Sequence, residues 1–345
     1  MSTEFDKPGI LLVNTGSPDS PSVSDTRRYL RQFLSDPRVI DMHPIGRWLL
    51  LNFVILPFRP KHSAKAYQLI WMNEGSPLLV HSKAFSDGLA KNSPELLFEI
   101  GMAYGKPSIM DSVKALLSRG ATRIIVIPMF PHYASATVGS VLEGSYSQLA
   151  QLPNVPPVDV LPPFYEAPEF LDAWAAIAGP QLEAINADHI VVSYHGLPER
   201  HVKNCDPTGA NCLQKADCCE RYRNHNPSCY KAHCIATTNG IVERLGIAKE
   251  NYTLSFQSKL GRDPWLKPAT DSTLVDLAKK GVKRVAVLCP AFVADCIETI
   301  EEIGMQGEES FLSNGGESLH LVSSLNSEAH WVDGFTALLK RSFSL

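Results

Sequence analysis

GATRIIVIPMF (Gly120–Phe130) returns later in the chain as GVKRVAVLCPAF (Gly281–Phe292). Each stretch leaves a glycine, passes a basic residue, and enters a β-branched apolar run that closes near Pro and Phe. Such a run, bounded by Gly and Pro, has the length of a strand buried on both faces. Two further pairs keep the same order. LLVNTGSP (Leu11–Pro18) resembles VVSYHGLP (Val191–Pro198), and LLFEIGMAYGKP (Leu96–Pro107) resembles TLSFQSKLGRDP (Thr253–Pro264). Three matches in one order predict two similar halves.

Strand-length runs recur at Ile10–Val13, Leu96–Ile100, Arg123–Ile127, His189–Ser193, Tyr252–Phe256 and Arg284–Leu288. Helical patterns lie between them, such as Ser108–Gly120 and Thr270–Gly281, each closing on Gly after a basic residue. Alternation of this kind predicts an α/β fold: two similar Rossmann-like, doubly wound domains whose parallel sheets face a central cleft. The expected division is residues 1–150, residues 151–325, and a C-terminal helix over 326–345 that packs back on the body.

Composition bounds the function. The chain has 345 residues, 44% hydrophobic and 20% charged, enough for two domains and against global disorder. A formal net charge of −4 with no basic run argues against a nucleic-acid partner. No apolar stretch reaches the ~18 residues of a membrane span. The polar, acidic start lacks a secretory pattern. These features read as a cytoplasmic protein, where thiols stay reduced.

Each half carries an insertion. In the first, residues 19–59 contain IGRWLLLNFVILPF (Ile45–Phe58), apolar nearly all round. It reads either as a buried helix or as an apolar lip over a hydrophobic ligand, able to touch a membrane surface. In the second, residues 205–234 hold six of the eight cysteines and few aliphatics. That segment cannot build a core and needs a metal or a host surface to stay ordered.

Reactive side chains gather at strand ends. His195 follows a strand and precedes Gly and Pro, where a neutral imidazole can bind a metal or take a proton. Asp295, Glu298 and Glu302 are spaced to share one helix face near a helix start. This row is either a solvated face or, opposite His195, a device for protons or a hard cation. Trp265, between two prolines, reads as part of a rigid structural turn.

Together these segments resemble the ferrochelatase family. The matching stretches are LLVNTGSPDSP, YLRQFLSDPRVID, RPKHSAKAYQLIWMNEGSPL, YHGLP, FQSKLGRDPWLKP and DCIETIEEIG, in family order from about residue 8 to 340. The resemblance implies a chelatase fold and a lyase of haem biosynthesis that inserts Fe2+ into protoporphyrin IX and releases two protons. It implies that His195 and Glu298 handle the iron, with His195 touching the metal or taking a pyrrole proton. Asp295 and Glu302 would extend an acidic path. Arg59, Tyr67 and Ser76 fall at family positions for porphyrin contact, and Met102 and Tyr104 at the pocket wall. Cys296 stands where some members have His. Coproporphyrin as substrate, or a non-catalytic haem or metal carrier on the same scaffold, are the competing readings.

Some members with an internal Cys-rich insertion carry a 2Fe–2S cluster, which needs four thiolates. The resemblance favours Cys212, Cys218, Cys219 and Cys229, with Cys234 as substitute. A structural zinc on thiolates, or on thiolates and His225 or His233, is the alternative. Cys289 and Cys296 read as packed thiols. The remaining expectation is peripheral contact with the inner face of a membrane through the apolar lip; the oligomeric state is open.

Overall fold

The computed structural model describes residues 7–221, 227–259, 261 and 263–345. The described chain divides into two compact units, residues 7–130, 135–163 and 339–345, and residues 131–134 and 164–338.

The first unit is built on β1 (Pro8–Asn14), β2 (Leu97–Met102), β3 (Arg123–Pro128) and β4 (Val158–Val160). All pair in parallel, in the order β2-β1-β3-β4. The second is built on β5 (His189–His195), β6 (Tyr252–Gln257), β7 (Arg284–Leu288) and β8 (Ser318–Leu321). Its order, β6-β5-β7-β8, is that of the first sheet again, also parallel. The three sequence matches are therefore β1 with β5, β2 with β6, and β3 with β7.

Every residue of β1 is buried, as expected of a central strand with both faces covered. Leu11, Val13, Ile124 and Val126 pack with Ile109, Val113 and Leu116 of the helix Ile109–Ser118. Ser108 caps that helix by accepting from Asp111 N at 3.1 Å. Gly120, at φ +89°, takes the chain out of it in a conformation that costs glycine little. In the second unit Val191, Val285 and Val287 pack with Leu274 and Leu277 of the helix Thr270–Lys279.

β4 and β8 have no apolar run to announce them. Both are short edge strands, and β4 carries the first unit through residue 163 rather than ending it at 150. The helix Ala329–Phe343 is anchored in the second unit by Trp331 and Phe335, both fully buried. Their rings lie 4.9 Å apart, and Phe164 and Phe170 pack against them.

Residues 131–134 join the second unit through two imidazoles. Thr237 donates its hydroxyl to Tyr165 O, so it accepts from His132 Nε2 at 2.9 Å. Tyr133 N donates to His233 Nδ1 at 3.1 Å, and His233 Nε2 donates to Pro227 O at 2.7 Å.

The apolar insertion of the first unit runs from the helix Val23–Ser35 into the helix Pro44–Leu49, a π-helical turn Leu50–Ile55 and the helix Leu56–Ile70. Leu51 and Leu56 are buried and anchor it. Ile45, Trp48, Phe53 and Phe58 are 57–69% exposed. Ile45–Phe58 therefore presents an exposed apolar surface and is not a buried helix. No described helix is long and apolar enough to cross a membrane.

Candidate active site

The reactive residues of the second unit stand at the C-terminal ends of its strands, where parallel sheets place their ligand loops. His195 ends β5, Gln257 ends β6, and the chain leaving β7 reaches Glu298 through a loop. His195 is half-buried, and its Nδ1 lies 2.7 Å from Gly196 O. A carbonyl only accepts, so Nδ1 carries the proton and Nε2 keeps the lone pair of the neutral ring. Phe292 flanks the imidazole, with ring centroids 6.3 Å apart.

The backbone around His195 is clamped on two sides. Tyr230 donates its hydroxyl to His195 O at 2.8 Å, and Gly196 N donates to Gln257 O at 2.8 Å. Leu266 N donates to Leu197 O, and the Trp265 ring fills the space beside Gly196. Trp265 is thus a structural part of this turn, as its flanking prolines predict.

Glu302 is a carboxylate held by three hydrogen bonds. It accepts from Ser258 N at 2.7 Å, from Ser258 Oγ at 2.6 Å and from Gln257 Nε2 at 3.4 Å. Burial pushes its carboxyl above the usual range, and the neighbouring Glu298 charge adds to that rise. The Ser258 hydroxyl opposes it, as does the positive charge His195 carries once its ring has taken a proton. His195 and Glu302 are therefore within electrostatic reach of one another. Gln257 joins the two acidic positions, since its Nε2 also donates to Glu298 O at 2.7 Å.

Asp295 departs from its expected place. The helix begins at Ile297 with Cys296 as its cap, so Asp295 precedes it and does not share a helix face with Glu298 and Glu302. It is buried and accepts from Thr299 Oγ1, Asn326 Nδ2 and Ser324 N. Those bonds anchor the loop. Beyond Thr299 the chain widens into a π-helical segment, Ile300–Gly307, which carries Glu302. Such segments are frequent at functional sites. Cys289 and Cys296 are buried thiols, and burial pushes both well up.

The residues carried over as porphyrin contacts lie in the first unit. Arg59 is half-buried on the helix Leu56–Ile70. Tyr67 is buried on the same helix, edge-on to Trp71. Ser76 is buried and caps the helix Pro77–Asn92, its Oγ 2.5 Å from Ser17 Oγ. Met102 ends β2 in a buried position. Tyr104 is buried and donates to Asp36 Oδ2 at 2.6 Å, and burial raises its phenol.

Where it is described, the start of the Cys-rich segment is held by polar contacts. Asp206 accepts from Thr208 N and Oγ1 and from Asn211 N and Cys212 N, which draws its carboxyl well below the usual range. Cys212, Cys219 and Cys229 are buried, and Cys218 Sγ lies 3.7 Å from Cys219 Sγ. The thiols of Cys205, Cys218 and Cys229 all act electrostatically on Cys212, which burial first of all pushes up to about 12. A hydrogen bond from Cys219 draws Cys229 down to about 7.

Cys234 lies inside the helix Tyr230–Arg244, fully buried beside Tyr230 and within electrostatic reach of Cys229. Cys205 is within electrostatic reach of Cys212 and Cys229. His233 has both ring nitrogens occupied, by Tyr133 N and Pro227 O, which removes it as a zinc ligand. His225 lies outside the described residues. Among the described residues no three His, Cys, Asp or Glu side chains form a site for a metal ion.

Gln257, Ser258 and Tyr230 are the residues that sequence reasoning passed over. Gln257 and Ser258 sit in the FQS stretch and follow a strand, which was their available signal. Tyr230 gave none, because a buried tyrosine reads as core.

The chain matches the ferrochelatase family profile over residues 7–343. A ferrochelatase of Coxiella burnetii (strain CbuG_Q212) is 42% identical over 340 residues, 98% of this chain and 95% of that protein. A ferrochelatase of Pseudomonas putida is 45% identical over 325 residues, 94% and 96% of the two chains. Among solved structures, SirB from Bacillus subtilis with Fe3+ aligns with a TM-score of 0.55 at 14% identity, over 97% of this chain and 95% of its own, a likeness of fold. With its two like sheets and with relatives matched over nearly their whole length, the chain belongs to the ferrochelatase family.

Proposed function

We propose that this enzyme inserts Fe2+ into protoporphyrin IX to give protohaem, with His195 as the acceptor of pyrrole protons. The observation that carries this role is the Nδ1 contact to Gly196 O, which leaves Nε2 as the basic nitrogen. Iron cannot reach the four ring nitrogens while two pyrrole protons remain, so each insertion must release two protons. His195 takes a proton at Nε2. Glu302, raised by burial and within electrostatic reach of His195, receives it onward. Glu298 supplies a hard carboxylate to the incoming ferrous ion, a weaker hold than thiolates would give.

The exposed lip supports a further part of this reading. Trp48, Phe53 and Phe58 offer an apolar surface to a flat, mostly apolar macrocycle or to the inner face of a membrane, with the body in the cytoplasm.

The loop thiols support a 2Fe–2S cluster. Cys212, Cys218, Cys219 and Cys229 would hold it, with Cys205 beside them, and the donor set is all thiol. When bound, the cluster would supply a covalent staple to a loop that has no core. A zinc ion on the same thiols is the alternative; Zn2+ is d10 and colourless, so elemental metal analysis distinguishes it from the cluster.

The test is anaerobic loss of protoporphyrin fluorescence on adding Fe2+, with the visible spectrum of the protein recorded beforehand. Multiple turnovers to haem are expected, and His195→Ala should bind porphyrin without turning it over. Turnover of coproporphyrin in preference to protoporphyrin would reassign the substrate, and binding without turnover in the parent protein would point to a carrier. Near-normal turnover by His195→Ala would remove His195 from its role.

A further inference from the structure

His195 stands where the ladder between β5 and β6 runs out. Its own carbonyl accepts from Tyr230 Oη at 2.8 Å, while the next carbonyl, Gly196 O, lies 2.7 Å from its Nδ1. One short piece of backbone therefore sets which ring nitrogen carries the proton, and one phenol holds that backbone from the side.

Tyr230 is suited to this task. It is 6% exposed and opens the helix Tyr230–Arg244, directly after Cys229, the helix cap. Its ring meets the His132 ring edge-on at 6.1 Å. The ring is thus fixed by packing that does not depend on the hydroxyl.

We propose that Tyr230 is a positioning residue for metal insertion: by donating to the His195 carbonyl, its hydroxyl holds the His195 imidazole in the tautomer that leaves Nε2 free to accept a proton. The proposal rests on His195 as the proton acceptor.

Tyr230→Phe in the full-length protein keeps the ring and deletes the bond. We expect kcat for Fe2+ insertion to fall about tenfold, equivalent to about 1.4 kcal/mol, with the porphyrin KM within about twofold of the parent. Nitrogen NMR of histidine-labelled protein, with His195→Ala to assign the signal, should show a neutral His195 protonated at Nδ1 in the parent. The variant should show a mixture of tautomers.

An unchanged kcat and an unchanged His195 signal in Tyr230→Phe would overturn the proposal. So would an Nε2-protonated His195 in the parent protein, a result that does not depend on the variant folding. An active His195→Ala would instead defeat the underlying assignment, so the two failures are distinguishable.

Discussion

Ser258 donates twice to the Glu302 carboxylate, from its backbone N–H at 2.7 Å and from its hydroxyl at 2.6 Å. It does so from φ +64°, a left-handed conformation that costs a non-glycine residue about 1 kcal/mol. The geometry explains why the residue is there: in an extended conformation the chain leaving β6 would not aim both donors at one carboxylate. Local strain is offset by two charge-assisted hydrogen bonds.

Glu302 should make stability pH-dependent in a defined direction. Burial raises its folded value above the usual 4.5, so the folded chain binds this proton more tightly than the unfolded chain. Stability from this group is complete below 4.5 and is lost as pH rises through the raised folded value. Glu302→Gln, neutral at every pH, should therefore gain on the parent protein as pH rises from 4.5 toward 8. Thermal melts across that range check it; a gap that shrinks with rising pH would contradict the assignment.

Gly196→Ala should damage the site through backbone displacement. A Cβ there would sit 2.6 Å from Gln257 O and 3.1 Å from the Trp265 ring. The strand end must shift, at a cost of about 1–3 kcal/mol. Because Gly196 O also holds the His195 imidazole, kcat should fall by more than about tenfold. Denaturant unfolding and steady-state rates on one preparation measure both effects.

The lip should be removable without harm to the fold. Trp48 and Phe53 are 57% and 64% exposed, so replacing both with Ser should change stability by no more than about 0.5 kcal/mol. Loss of their apolar surface should raise the porphyrin KM several-fold and weaken flotation with lipid vesicles. A parent-like KM and parent-like flotation together would show that the lip serves neither contact.

Cys219→Ser tests the thiol group. Cys219 is buried, hydrogen-bonded to Cys229 and 3.7 Å from Cys218 Sγ. With the proposed 2Fe–2S cluster on these thiols, the variant should lose visible absorbance and bound iron and melt at a lower temperature. A spectrum and iron content equal to the parent's would remove Cys219 from the ligand set.

Much of this architecture was legible from residue patterns. Six strands appear as β-branched runs because central parallel strands are buried on both faces, and the repeat of three runs predicted two sheets of like order. β4 and β8 escaped notice as edge strands only three and four residues long. Glu298 and Glu302 were found by spacing, which assumed a regular helix. Asp295 shared that spacing but lies before the helix start, where Thr299, Ser324 and Asn326 bind its carboxylate.

By itself the sequence determined the class of fold, the two insertions, the family, and the strand-end histidine, because each of these is written in local runs or contiguous motifs. The tertiary structure alone decided what holds those residues. Tyr230 reaches His195 across 35 positions of chain, and Ser258 reaches Glu302 across 44. Cys234 is turned inward by its helix and lies buried against Tyr230. Contacts of this range depend on how elements pack against one another, and no local pattern of residues encodes that packing.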